Sequence, residues 1–178
     1  GNRIFVDGFT VDDWKLGTWI NTAGAQYQQY DFYLDGLQLA QQSSGGATNV
    51  PNTSDDLFYI GAGLGSGTTF SNGRFMSGDI AEVICYNYEL NQAQRIIVEN
   101  YLAAKFYTDI SIVNDRYVFD AGHGNELAGV GRVDVNNLHT AARSAGIFRI
   151  SNASDLDDGE YLLFGHDGGD ASAWTTSE

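Results

Sequence analysis

Carboxylates are the side chains whose grouping in this sequence could support chemistry. Two clusters hold the candidate metal ligands: Asp55, Asp56, Asp155, Asp157 and Asp158. Oxygen ligands of this kind suit Ca²⁺. Neither cluster has the spacing or the distal glutamate of an EF-hand, and Asp12-Asp13 is a similar weak candidate. An acidic turn with Asp158-Gly159 at its tip is therefore the competing interpretation of the second cluster.

Retaining glycoside hydrolysis would need two carboxylates about 5 Å apart across the sugar. A strand supplies such a pair when acidic residues stand two or four positions apart on one face. Glu82 instead lies in an apolar run between Ile80 and Ile84, and Glu89 follows that run. We therefore expect the chain not to be an enzyme, and a glycoside hydrolase is only a second alternative.

Other catalytic and metal-binding patterns are missing from the sequence. His123, His139 and His166 do not repeat at the spacing of zinc ligands, and Cys85 belongs to a different element. The glycine-rich run 63–73 lacks the Lys-Ser/Thr ending of a phosphate-binding loop. Calcium is thus the one cofactor that we expect.

The composition limits the partners. The 178 residues include 23 acidic and 9 basic side chains, which gives a formal charge of −14. Such a surface repels nucleic acid and anionic lipid.

No run is apolar and long enough to span a bilayer, and we expect no membrane insertion. The single cysteine, Cys85, excludes an intrachain disulfide and is predicted to be a buried thiol.

Alternating apolar residues predict strands in the first part of the chain. Residues 3–19 suggest strands that are interrupted at Gly8 and Gly17, and Leu57–Gly63 suggests another. The polar stretches 41–56 and 64–78 are predicted to be loops, the second with an Asn72-Gly73 turn.

A β-hairpin is the clearest local prediction. Its strands are Tyr30–Leu34 and Leu37–Ala40, and Asp35-Gly36 has the composition of a type I′ turn. Because both turn positions need positive φ, the turn geometry alone accounts for Asp35.

The stretch 76–106 predicts a strand that leads directly into a helix. Ile80–Tyr86 is apolar on both faces except for Glu82, which is typical of a strand covered on both sides. Asn91 and Gln94 form a capping-box pattern at the start of the helix. An apolar stripe follows at helical spacing: Leu90, Ala93, Ile97, Val98, Tyr101, Leu102 and Ala104. The polar face of this helix comprises Arg95, Glu99, Asn100 and Lys105.

After residue 117 the composition of the sequence changes, and short apolar runs that predict strands are separated by Gly, Asn and Asp. We place the domain boundary at 110/111, which gives a first domain of residues 1–110 and a small β-rich module of residues 111–178. The second unit is small for an independent core. We expect it to pack against the first domain or to continue past the end of this sequence.

The run YDFYLDGLQLA, then DLFYIGAG, then FSNGRFMSGDIAEVICYNYELNQAQRIIVENYLAAKF resembles the carboxy-terminal half of a LamG-like, concanavalin A-like jelly roll. Gly78, Ile80, Glu82 and Val83 match the G-x-I-x-E-V strand pattern of that family, and the capped helix then closes the domain. The resemblance covers roughly residues 1–107. It implies an all-β, two-sheet jelly-roll sandwich with one closing amphipathic helix, and calcium in rim loops such as Asp55-Asp56.

Residues 111–178 resemble the companion modules that follow such jelly rolls in secreted bacterial surface proteins. The resemblance implies a non-catalytic extracellular or cell-surface module for binding or adhesion, with a glycan or a surface protein as partner. Loop aromatics such as Tyr27, Phe70 and Trp174 are candidates for stacking on sugar rings.

The amino-terminal 25 residues supply only part of the strands that a complete sandwich needs. We therefore expect further strands from the same long chain or from neighbouring subunits. The first alternative function follows from this expectation: a structural subunit of an extracellular filament or sheath that neighbouring chains complete.

Overall fold

The computed structural model describes residues 3–5, 13–21, 30–39, 42–44, 60–64, 70–144 and 148–168. These residues form mostly β-strands in small antiparallel sheets, together with two helices, as expected for the all-β class. The strands are β1 Arg3–Phe5, β2 Gly17–Asn21, β3 Tyr30–Leu34, β4 Leu37–Leu39, β5 Gln42–Ser44, β6 Ala62–Leu64, β7 Phe70–Phe75, β8 Asn125–Asp134, β9 Asn137–His139, β10 Ala142–Ser144, β11 Phe148–Ile150 and β12 Tyr161–His166. The helices are α1 Gln92–Phe106 and α2 Asp120–His123.

Two three-stranded sheets and three two-stranded ribbons make up the described β-structure. The sheets have the orders β2-β3-β4 and β12-β8-β9, and the ribbons are β1-β5, β6-β7 and β10-β11. Neither described helix is long and apolar enough to cross a membrane. The two-sheet jelly-roll arrangement stays a prediction.

The predicted hairpin is confirmed. β3 pairs antiparallel with β4 through the turn at Asp35 and Gly36, whose φ angles are 48° and 80°. Phe32 faces Trp19 on one neighbouring strand and Leu39 on the other. The local turn composition and the alternating pattern agree here, so the register follows from sequence alone.

Several boundaries in the first part of the chain differ from the sequence prediction. Gly17 begins β2 instead of interrupting a strand, and β5 lies inside the predicted loop 41–56 because it pairs with β1. β7 likewise crosses the predicted Asn72-Gly73 turn. Ala62 pairs with Phe75 and Leu64 with Phe70, so the surplus residues of β7 are taken up by an irregularity in the register.

The predicted strand Ile80–Tyr86 is wrong. Residues 76–91 form no strand, and the backbone groups of residues 77–89 make no hydrogen bond with any described residue. Val83 is 47% exposed, Tyr86 is 45% exposed, and Cys85, predicted to be buried, is exposed. The segment has the composition of a buried strand, but no described strand forms backbone hydrogen bonds with it, and a single strand is not stable alone.

Helix α1 begins as predicted. The Gln94 amide donates to Asn91 Oδ1 and the Asn91 amide to Gln94 Oε1, each over 3.0 Å, which completes the capping box. The helix ends at Phe106 because Tyr107 adopts the left-handed conformation with φ 52°, and the Thr108 amide donates to the Ala103 carbonyl.

Helix α1 packs chiefly against β8 and β9. Ala104 lies in a buried cluster with Tyr117 and Leu127, and the partly buried Tyr101 and Leu163 pack against that cluster. Ile97, predicted to be buried, is 8% exposed. α1 therefore contacts strands that follow the predicted boundary at 110/111, and that boundary stays a prediction.

The predicted polar face of α1 is largely buried. Arg95, Glu99 and Asn100 are each at most 3% exposed, whereas Lys105 is exposed. Thr18 of β2 donates to Glu99 Oε1 over 3.0 Å, so this face is in contact with the sheet β2-β3-β4. α1 thus packs on β8 and β9 with one face and contacts Thr18 and Tyr33 of the other three-stranded sheet with the opposite face.

Candidate binding groove

A groove of about 200 Å³ lies between three segments of the chain. One wall is formed by residues 14–17, the second by residues 76–82, and the third by the last turns of α1. The lining side chains and backbone come from Trp14, Lys15, Leu16, Gly17, Met76, Asp79, Ile80, Ala81, Glu82, Leu102, Phe106 and Thr108. We refer to this site as the Trp14 groove.

Asp35 fixes the first wall of the Trp14 groove. Its Oδ1 accepts from the Leu16 amide over 2.9 Å, its Oδ2 lies 3.0 Å from Lys15 Nζ, and its own amide donates to the Leu16 carbonyl over 2.8 Å. The Asp35 carbonyl also accepts from the Ser111 amide. The turn residue that backbone geometry explained therefore also holds the segment before β2 in place.

Lys105 connects the second wall to α1. Its Nζ lies 2.8 Å from Glu82 Oε2 and donates to Tyr101 Oη over 3.0 Å. The hydrogen bond to Glu82, followed by the one to Tyr101, raises the pKa of Lys105 above its usual value. At the start of the same wall, the Met76 amide donates to the Gly61 carbonyl over 2.8 Å.

The chemistry of the Trp14 groove is mixed. Trp14 is 53% exposed and Ile80 is 45% exposed, so apolar surface is accessible at its walls. Asp79 forms no ion pair within the part of the chain that the structure describes, whereas Lys15 and Glu82 each have one. The volume is below the roughly 300–1,000 Å³ of pockets for drug-sized ligands. The groove suits one ring-sized group with an apolar face and polar edges.

A polar cluster on α1 has a structural role. Arg95 Nη1 lies 2.6 Å from Glu99 Oε2, and the Arg95 guanidinium stacks 3.8 Å from the centroid of the Tyr33 ring. Burial raises the pKa of Glu99, while Arg95 and Thr18 act in the opposite direction. The Arg95 and Glu99 side chains are buried and contact one another, so the pair does not offer a binding surface.

Asn100 extends the same cluster. Its Nδ2 donates to the carbonyls of Ile96 and Asn114, and its Oδ1 accepts from the Arg116 amide. Asn114 in turn donates to the Gly36 carbonyl in the β3-β4 turn. These bonds join α1, the segment after it and the hairpin, and they leave the Asn100 amide with partners for both of its polar atoms.

The structure places the predicted calcium ligands in two different situations. Asp55 and Asp56 lie outside the described residues. Asp155, Asp157 and Asp158 are exposed, and Asp158-Gly159 form the tip of a turn, as the competing interpretation predicted. Asp158 Oδ1 lies 2.7 Å from Arg132 Nε without hydrogen-bond alignment. Within the described ranges, no three His, Cys, Asp or Glu side chains are grouped as a metal site would need.

Sequence reasoning did not identify Trp14 as a site residue. Of the aromatics predicted to stack on sugars, Tyr27 and Trp174 lie outside the described residues, and only the backbone of Phe70 is described. The alternating pattern of residues 3–19 predicts only strands there. The two aspartates directly before Trp14 and the lysine after it were the available signal that this position is at the surface.

Comparisons of the chain with family models, with curated proteins and with solved structures give no match.

Proposed function

We propose that this chain is a non-catalytic binding or adhesion module of the extracellular or cell surface, and that the Trp14 groove binds a glycan ring. The observation that carries this proposal is the exposed indole of Trp14 beside the polar groups of Asp79, Lys15 and Glu82 in one groove. An aromatic face stacks on the apolar face of a sugar, and the polar groups bond its hydroxyls. The resemblance to a LamG-like domain supports the same interpretation.

A glycan-array screen with the full chain, followed by titration of the best ligand, tests this proposal. We expect Trp14→Ala to weaken binding about tenfold, since loss of one aromatic contact is worth roughly 0.5–1.5 kcal/mol beyond its area. Trp19→Ala is the matched control, because Trp19 is 59% exposed on β2 and does not line the groove. Equal weakening by both variants, or no glycan bound by the chain, would refute the groove as the site.

The glycoside hydrolase alternative can be tested on the same ligand. Asp79 and Glu82 both line the groove, so two carboxylates lie at one cavity. If bound glycan is cleaved and Glu82→Gln abolishes the cleavage while binding persists, the chain is an enzyme. Bound glycan that stays intact over long incubation supports the binding module.

The filament subunit is the second candidate function, and residues 77–89 favour it. Their backbone groups have no hydrogen-bond partner among the described residues, and their apolar side chains are exposed. Exposed strand-like segments of this kind pair with strands of other chains. On this proposal a strand from a neighbouring copy completes the fold.

Sedimentation of the purified chain over a range of concentrations tests the filament proposal. We expect association that grows with concentration and that Val83→Pro reduces, because proline cannot donate to a strand ladder. Ile112→Pro is the control, because Ile112 is 88% exposed and occupies the second position of the turn that begins at Ser111, where proline is favoured. A monodisperse, cooperatively melting monomer would contradict completion by neighbouring chains.

A further inference from the structure

The ribbon β10-β11 brings two arginines together on one face. Its antiparallel register places Arg143 directly opposite Arg149. Side chains that face each other in this way have Cβ atoms about 4.5–5.5 Å apart. Both arginines are exposed, and neither forms an ion pair or a side-chain hydrogen bond with any residue that the structure describes.

The opposite face of the ribbon is held against the rest of the molecule. Ser144 is 5% exposed, and its hydroxyl donates to the Glu126 carbonyl over 3.0 Å. The ring of Phe148 packs edge-on against Phe164 of β12, with 4.7 Å between centroids. Because successive residues alternate between faces, Arg143 and Arg149 project away from these contacts and into solvent.

This arrangement is unusual for the charge of the chain. Four described basic side chains have carboxylate partners: Lys15, Arg95, Lys105 and Arg132. Arg116 has its guanidinium 5.2 Å from the centroid of the Tyr161 ring. A chain with 23 acidic and 9 basic residues thus has two arginines that lie directly opposite each other and form no ion pair with a described residue. Like charges in this position destabilise a strand pair unless an anion lies between them.

We propose that Arg143 and Arg149 form a binding site for an oxyanion, a carboxylate or a sulfate-type group. Each guanidinium presents a planar fork of N–H donors, and two forks side by side can bond one oxyanion through several charge-assisted hydrogen bonds. The site is independent of the Trp14 groove, whose lining includes neither arginine.

The net charge restricts the kind of ligand. With a formal net charge of −14, the protein repels a dense polyanion at all distances. A molecule with a single oxyanionic group is repelled much less and still forms hydrogen bonds with the two arginines. Screening over about 8 Å at physiological ionic strength weakens the remaining long-range repulsion of a single oxyanion more than its contact with the arginines. The ligand is therefore a sparsely charged molecule that bears an isolated oxyanionic group, and nucleic acid and other dense polyanions are excluded.

NMR titration of the ¹⁵N-labelled full chain with acetate and with sulfate tests the site, at constant ionic strength with chloride as reference. We expect saturable shifts of the Nε–H signals of Arg143 and Arg149 and none for Arg116. The relative affinities for acetate and sulfate then identify which oxyanion the site prefers. Non-saturable shifts, equal shifts with chloride, or equal shifts at Arg116 would overturn the proposal.

Three variants complete the experiment. Arg149→Gln should weaken oxyanion binding about tenfold, since a hydrogen bond to a charged group contributes roughly 1.5–3 kcal/mol. Arg116→Gln removes the same charge from another exposed position and should leave binding unchanged. The double variant Arg143→Lys/Arg149→Lys keeps both charges and loses the forks, and we expect it to bind weakly. Full binding by the lysine variant would show diffuse electrostatic attraction and would refute the site.

Folding of the variants is measured at the same time. Removal of the like-charge pair in Arg149→Gln should leave the melting temperature of the free protein equal or higher. A lower melting temperature would mean that Arg149 has a structural partner, and this result would also count against the proposal.

Discussion

Arg95 and Glu99 lie one turn apart on α1 and form an ion pair of 2.6 Å in which their side chains are only 3% and 1% exposed. Pairs at this spacing usually lie at a helix surface and contribute a few tenths of a kcal/mol. Here Thr18 and Tyr33 from the sheet β2-β3-β4 cover the pair. The ion pair therefore connects the helix to the sheet. Removal of either Arg95 or Glu99 would leave the other side chain as a buried, unpaired charge.

Glu99→Gln should lower the free energy of unfolding by about 3–5 kcal/mol, because Arg95 is then buried without its counter-charge. Glu89→Gln is the matched control at an exposed position and should change stability by less than about 0.5 kcal/mol. Urea denaturation measures both. The double variant Arg95→Met/Glu99→Leu should cost less than Glu99→Gln, and a cost equal to or larger than the single variant would contradict this account.

Ile97→Ala should cost about 2–5 kcal/mol, because it removes buried apolar volume from the helix that both sheets contact. The same exchange at Ile112, which is 88% exposed, should stay within about 0.5 kcal/mol. Thermal and chemical denaturation compare the two variants. Equal effects would show that α1 is not packed as described.

The stability of the chain should fall as the pH drops below 6.5, in part through His139. Partial burial of this side chain lowers its pKa below the ordinary histidine value of 6.5. The unfolded chain then takes up the proton first, so the contribution of His139 is present above pH 6.5 and is lost as the pH falls through the folded-state pKa.

Urea denaturation of His139→Gln across the same pH range should show a shallower loss of stability than the wild type. His123→Gln serves as the control, since His123 is exposed. An unchanged slope in His139→Gln would mean that the burial of His139 has no consequence for proton binding.

The calcium prediction is tested by melting temperature. We expect Ca²⁺ to raise the melting temperature relative to Mg²⁺, since a ligand that binds only the folded state stabilises it. Asp155→Asn/Asp157→Asn should abolish the increase if the acidic turn is the site, whereas Asp109→Asn should not. A melting temperature that neither Ca²⁺ nor a chelator changes would rule out a stabilising calcium site.

Local signals determined what could be predicted from the sequence. The turn at Asp35-Gly36 and the cap at Asn91 depend on neighbours within four residues, and the structure confirms both. β8, β11 and β12 also lie in short apolar runs that predict strands, whereas β10 lies outside those runs. Where the geometry is set by adjacent residues, composition and spacing contain the necessary information.

Tertiary contacts decided the parts that the sequence did not predict. The Asn72-Gly73 pair has turn composition, yet its backbone lies in β7 because β6 offers a pairing partner. Residues 80–86 have strand composition, yet none of the described strands pairs with them. Whether a strand forms depends on its neighbours, which single-sequence periodicity does not contain.

The candidate sites could not be predicted from the sequence, because they too depend on tertiary contacts. The Trp14 groove depends on three segments that are distant in sequence, and the opposed arginines depend on the register of β10 with β11. The burial of Arg95 and Glu99 requires a sheet on the far side of α1. Each feature is a property of the assembled chain, so residue types alone did not indicate it.

The position of α1 between two sheets has a consequence for synthesis of the chain. α1 ends at Phe106, but β12, which carries Leu163 to the cluster around Ala104, ends only at His166. At a translation rate of roughly 5–20 residues per second, the intervening 60 residues take about 3–12 s to emerge from the ribosome. During that time the cluster around Ala104 lacks Leu163, and until residue 139 it also lacks β8 and β9, so slower elongation over residues 107–166 prolongs the exposure of the apolar face of α1.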